Sequence, residues 1–215
     1  MTTPSLVGRD PRVPAADLLA SLVPPRHFAG ATFDTYLPDP DHPSQRAAQV
    51  RLLAVAAELT APPASAWSRV LGRGRPARRP AVYLDGGFGV GKTHLLAALA
   101  HTVGPETTAY GTFVEYTHLV GALGFAATVA ALARRRLVCI DEFELDDPGD
   151  TVLMSRLLRE LADAGVALAA TSNTLPESLG EGRFAAEDFL REIQALAARF
   201  EVLRVDGPDY RHRHA

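Results

Sequence analysis

Lysine is almost missing from this chain: of 22 lysine and arginine residues, Lys92 is the one lysine. Arginine serves wherever positive charge alone is needed, so Lys92 marks a place where chemistry asks for a compact ammonium on a thin stem. Cysteine is equally scarce. The single Cys139 excludes an intramolecular disulfide framework, and its place in the apolar run "LVCID" fits a small buried side chain better than a reactive thiol. An excess of either charge is lacking too. A net charge of −3 provides no global basic field of the kind that announces nucleic acid or an anionic membrane. No apolar stretch approaches the roughly 18 to 20 residues that span a bilayer. The start, "MTTPSLVGRDPRVP", has neither the basic opening nor the apolar centre of a signal peptide. A cytoplasmic chain without a membrane role is therefore expected. The seven histidines show no metal-ligand spacing on a common face except His212 and His214, whose place on a terminal tail argues against a metal role.

What is present begins at Lys92. In "GGFGVGKTHLL", Gly86, four intervening residues and Gly91-Lys92-Thr93 form the phosphate-cradling pattern G-x-x-x-x-G-K-[ST]. The preceding "AVYLDG" reads as a buried strand and the following "THLLAALAH" is rich in helix formers. Strand, glycine loop and helix aim backbone N–H groups and a positive helix end at one point, where a phosphate can sit. Gly86, Gly87, Gly89 and Gly91, with Phe88 and Val90 between them, make the cradle. Lys92 is expected to reach the β and γ phosphates, and the Thr93 hydroxyl to ligate Mg²⁺. The plainer alternative is a glycine-rich turn ahead of an ordinary helix, which the strand before it disfavours.

The rest of the chain divides around this loop. Residues 1 to 43 hold 8 of the 16 prolines and read as a loop-rich lead-in with one short helix over "AADLLASLV". Residues 44 to 215 form the expected core. Ser44 is expected to cap a helix whose apolar residues Ala48, Leu52, Val55, Ala56 and Leu59 recur at helical spacing. A loop with a basic end follows at 61 to 80. From residue 81, apolar runs alternate with helical patterns, which predicts an α/β fold with a five-stranded, mostly parallel sheet between helices. The expected strands are "VYLD", "TFVEYT", "LVCID", "VALAATS" and "EVLRV"; helices over "TVLMSRLLRELADAG" and "EDFLREIQALAARF" join the later ones.

A phosphate loop serves kinases, GTPases and ATPases alike, and the third strand narrows the choice. "LVCIDE" places Asp141 at the carboxyl end of a buried strand, where open α/β sheets bind ligands. Asp141 is positioned to hold Mg²⁺ through its water shell, and Glu142 to polarise the water that attacks the γ phosphate of ATP. Asn173, after the fourth strand in "ATSN", is at the correct end to contact that water or the phosphate; its other reading is an ordinary turn residue. Asp146, Asp147 and Asp150 are better explained as a helix start, with Pro148 at the first position, than as a metal site.

These parts in this order resemble the P-loop NTPases of AAA+ type, and within them the ZapE family of bacterial cell-division ATPases and their mitochondrial, AFG-like relatives. The blocks "YLDGGFGVGKTHLL", "FVEYTHLV", "LVCIDEFELDDPGD", "GVALAATSNTLPESL" and "FEVLRVDGPDYRHR" carry the resemblance over residues 28 to 213. It implies an ATPase working on a protein partner, the division-ring protein FtsZ, with self-association at the ATP site. It implies further that Phe33 and Tyr36 lie where the lead-in passes the adenine; as plain chemistry they serve equally as anchors of the N-terminal segment. It also implies an arginine finger, for which Arg183, Arg191 and Arg199 are candidates, with Arg199 ending the helix after "ATSN". Members of the family continue into a lid after the "DYR" element, and a core without that lid is expected here. A second class shares the core and its "YR" ending: DnaC- and IstB-like helicase loaders and transposon helper ATPases acting on DNA. Only the basic stretches at 73 to 79 and Arg134-Arg135-Arg136 speak for DNA, and neither has the interleaved aromatics used for base stacking.

Overall fold

The computed structural model describes residues 14–62, 79–144, 148–174 and 198–210. Five strands, β1 (Ala81–Asp85), β2 (Thr108–Thr112), β3 (Leu137–Asp141), β4 (Ala167–Ser172) and β5 (Glu201–Arg204), form one sheet in the order β2-β3-β4-β1-β5. Every pairing is parallel. Parallel strands buried on both faces read as continuous apolar runs rather than alternating ones, and β3 is buried along its whole length.

Alternate side chains divide between two cores. Val82, Leu84 and Cys139 face α2 (Pro43–Thr60) and α3 (Lys92–Val103), whereas Tyr83, Val138 and Ile140 face the opposite side. That side is covered by α4 (Phe113–Leu123), α5 (Phe125–Leu132) and α6 (Pro148–Asp163). Helix α3 lies between the sheet and α2, which explains why Leu95 through Leu99 are all fully buried. The lead-in is folded onto this body. A short helix α1 (Ala15–Ala20) precedes Leu22, whose carbonyl accepts the Tyr110 N–H (3.0 Å), and Ala31, Phe33 and Tyr36 enter the core beside α2.

Two sequence expectations are corrected. The second strand is "TAYGT", and "FVEYTHLV" is helix α4. Thr112 and Glu115 form a reciprocal capping box: the Glu115 N–H donates to the Thr112 hydroxyl (3.2 Å) and the Thr112 N–H to the Glu115 carboxylate (2.7 Å). That closure starts a helix which buries Phe113, Tyr116, Leu119 and Val120. Ser44 does not cap α2, which opens with Pro43 as its first residue. Its hydroxyl instead accepts the Asp206 N–H (3.0 Å) and ties α2 to the chain after β5.

The helix expected between the fourth and fifth strands lies mostly outside the described residues, as do Asp146 and Asp147. Among the described residues no single helix is long and apolar enough to cross a membrane. The pair α4 and α5 passes such a test only jointly and is bent by 119°.

Candidate nucleotide site

Parallel register aligns the carboxyl ends of all five strands along one edge of the sheet. Asp85 pairs with Ser172 and Arg204, and Thr112 with Asp141. Above this edge the chain leaves β1, passes through residues 86–91 and enters α3 at Lys92. Gly91 is the N-cap residue in the left-handed region (φ 94°), and a Cβ there would lie 2.6 Å from the Tyr36 ring. Gly89 is also left-handed (φ 72°), and a Cβ would overlap the Asp209 carboxylate. Only glycine fits at either position. The loop is thus held from two sides: the Tyr36 hydroxyl donates to the Val90 carbonyl (3.2 Å), and the Tyr210 N–H to the Gly89 carbonyl (2.9 Å).

Lys92 is buried beneath the loop. Its ammonium donates to the Gly86 and Gly87 carbonyls (2.6 Å each) and to the Asn173 amide oxygen (2.9 Å). Burial lowers its pKa, and the nearby Asp85 and Asp141 carboxylates oppose that shift. Three divergent acceptors suit an ammonium, whose three protons point apart; a planar guanidinium cannot match them.

Asp141 is held equally firmly. One carboxylate oxygen accepts from the Thr93 hydroxyl (3.2 Å) and the Thr171 hydroxyl, the other from the Tyr110 hydroxyl (2.8 Å). Burial pushes the Tyr110 phenol strongly up, and Asp141 adds to the effect, so it remains a donor. Glu142 has a positive φ of 53°, uncommon for a residue with a side chain. Its N–H donates to the Thr171 hydroxyl (3.1 Å), and the Phe143 N–H to the Thr171 carbonyl (2.7 Å). These contacts bend the chain so that Glu142 is exposed at the cavity beside buried Asp141. Asn173 completes the group: its amide oxygen faces Lys92 and its NH₂ donates to Glu144 (3.3 Å).

Lys92, Thr93, Asp141, Glu142, Thr171 and Asn173 border a cavity of about 700 Å³, within the range of small-molecule sites. Phe28, Tyr36, Phe88 and Tyr210 contribute aromatic residues to its lining. Phe88 projects from the loop with 73% of its surface exposed. Phe33 does not line the cavity. It is buried against α2, where Gln49 donates to its carbonyl (2.6 Å), so the structure favours its reading as an anchor and leaves Tyr36 at the wall.

Arg199 lies away from the cavity and pairs with Asp163 (3.1 Å) at the end of α6. Arg183 and Arg191 are outside the described residues. Sequence reasoning missed Tyr110 and Thr171, because their contact with Asp141 depends on the register of three strands. Oxygen donors of the kind Mg²⁺ takes, the Thr93 hydroxyl and the Asp141 carboxylate, are adjacent under the loop, so the residues present fit a hard cation beside a phosphate.

A phosphate loop on β1, an acidic pair ending β3 and a polar residue after β4, on a sheet of this order, define a P-loop NTPase of AAA+ type. The profile of the AFG1-like ATPases matches residues 12–215, and the chain belongs to that family. It is 30% identical over 153 residues to the uncharacterized protein C115.02c of Schizosaccharomyces pombe, covering 63% of this chain and 34% of that protein. It is 31% identical over 143 residues to the cell division protein ZapE of Escherichia coli K12, covering 61% of this chain and 38% of that one. The matched region thus spans little more than a third of either relative. Among solved structures, domain III of the Thermotoga maritima replication initiation protein DnaA superposes with a TM-score of 0.59 at 19% identity, over 84% of this chain and 69% of that one. At that identity the likeness is one of fold.

Proposed function

We propose that this chain binds ATP with Mg²⁺, hydrolyses it, and uses turnover to remodel a protein partner. The observation that carries the reading is the convergence on one cavity of Lys92, Asn173, Thr93, Asp141 and Glu142 from three different strand ends. In this reading the N–H groups of residues 86–92 and the Lys92 ammonium hold the phosphates, exchanging the carbonyl contacts of Lys92 for phosphate oxygens. Thr93 and Asp141 hold Mg²⁺, which when bound neutralises charge on the β and γ phosphates. Glu142 accepts a proton from the attacking water, and Asn173 orients that water or the phosphate. Tyr36 and the other aromatic residues of the lining border the base. Arg199 is the finger that acts on a neighbouring subunit's site.

Two substitutions separate cradle from chemistry. Lys92→Ala is expected to abolish nucleotide binding, and Glu142→Gln to retain binding while losing turnover, checked by nucleotide titration and phosphate release. Equal loss of ATP affinity in both variants would remove Glu142 from its role.

The partner reading rests on the family and on the ZapE relative, and by that resemblance the partner is FtsZ in a dividing bacterial cytoplasm. Co-purification with the Glu142→Gln variant in ATP tests it: recovery of FtsZ supports the reading, and its absence among the captured proteins opposes it. The DNA alternative loses ground at residues 134–136. Arg135 and Arg136 donate to the Glu106 (2.6 Å) and Leu59 (3.3 Å) carbonyls, which gives both a role inside the chain. Nanomolar, sequence-selective DNA binding at physiological salt would restore that alternative.

A further inference from the structure

We infer that Tyr110 is a positioning residue for the metal: its hydroxyl fixes the rotation of the Asp141 carboxylate, so that the oxygen beside Thr93 is presented to the cation. This rests on the assignment of Thr93 and Asp141 as the metal-holding pair.

The geometry is specific. Tyr110 and Asp141 are 2% and 5% exposed, on neighbouring strands, with Tyr110 in register with Cys139, two residues before Asp141. Its hydroxyl reaches along the strand to the carboxylate oxygen that neither Thr93 nor Thr171 contacts. A carboxylate on a Cα–Cβ stem rotates about its terminal bond unless both oxygens are held. Thr93 and Thr171 hold one, and Tyr110 holds the other. Groups behind a ligand that orient it in this way typically alter metal affinity tenfold or more when removed.

Tyr116 shows what a purely structural phenol looks like here. It is fully buried against the same strand, and its hydroxyl donates to the Cys139 backbone carbonyl (3.1 Å), a contact with no bearing on the carboxylate. Tyr110→Phe and Tyr116→Phe therefore each remove one buried hydroxyl that donates to β3, but only the first touches Asp141.

The test is a titration of Mn²⁺, followed by its electron paramagnetic resonance signal, into protein saturated with a non-hydrolysable ATP analogue. Thermal melts of each variant are taken alongside. Tyr110→Phe is expected to weaken Mn²⁺ binding about tenfold, with metal-free nucleotide binding nearly unchanged, while Tyr116→Phe binds Mn²⁺ as wild type does. In an Asp141→Asn background, Tyr110→Phe is expected to add no further loss, since it acts through that carboxylate. Wild-type Mn²⁺ affinity in Tyr110→Phe, or equal losses in the two phenylalanine variants, would overturn the inference. Additive losses with Asp141→Asn would do so as well. If Thr93→Ala and Asp141→Asn themselves leave Mn²⁺ binding unchanged, the metal assignment fails and this inference with it; if both respond and Tyr110→Phe does not, only the inference fails.

Discussion

Lys92 explains its own rarity. Its three acceptors are two main-chain carbonyls and one amide oxygen, arranged around a point charge beneath the loop. Lys92→Arg keeps the charge but asks a flat, wider group to enter a site that leaves the lysine 8% exposed. In the proposed ATP-bound state the ammonium protons meet phosphate oxygens instead, and losing two such hydrogen bonds to a charged group costs about 3 kcal/mol or more, which corresponds to at least a roughly hundredfold loss of ATP affinity. Nucleotide titration checks this, and an arginine variant that binds ATP within a few fold of wild type would show that charge alone is needed. Thr171 has an unusually dense role for one hydroxyl. It donates to Asp141 and accepts from the Glu142 N–H, so the carboxylate proposed to hold the metal and the residue proposed to polarise water share one anchor on the neighbouring strand.

Helix α4 illustrates how a local closure overrides a strand-like sequence. "TFVEYT" has β-branched and aromatic residues, which favour extended backbone. The capping box at Thr112 and Glu115 satisfies end groups that a strand would leave to a neighbour, and the apolar residues then fall on one helical face. Thr112→Ala removes the cap. The expected cost is about 1 kcal/mol, seen as a fall in Tm of about 2–4 °C in a chain of this size. Calorimetry or circular dichroism checks it, and an unchanged Tm would mean that packing alone fixes the start of α4.

Considered as a whole, the molecule places Lys92, Asp141, Glu142 and Asn173 at one cavity and Arg199 outside its lining, so the proposed finger role requires a neighbouring subunit. The Arg199–Asp163 pair has an aspartate side chain 65% exposed, so it adds little to stability. Arg199→Ala should therefore leave Tm nearly unchanged. As a finger it should lower ATPase rate by about 10³-fold or more. Wild-type activity should rise more than linearly with protein concentration as subunits meet, and this rise should vanish in the variant. Steady-state assays over a concentration series check both; brisk, strictly linear activity untouched by the substitution would mean that each site is complete within one chain.

The phosphate loop, the acidic pair and Asn173 were legible in the residues alone because each is a local pattern: consecutive residues whose chemistry follows from spacing along one strand end or turn. The parallel α/β class was legible for a similar reason, since buried runs alternating with helical periods allow few other arrangements. Tertiary structure decided what depends on neighbours distant in sequence. Phe33 became a core anchor and Tyr36 a wall of the cavity through packing against α2 and the loop. Ser44 left its expected cap to hold Asp206, 162 residues away. Tyr110 and Thr171 met Asp141 only because three parallel strands set their register. A hydroxyl in a strand carries no sign in its own sequence of which carboxylate it will face; that is set when hydrogen bonding between strands aligns them.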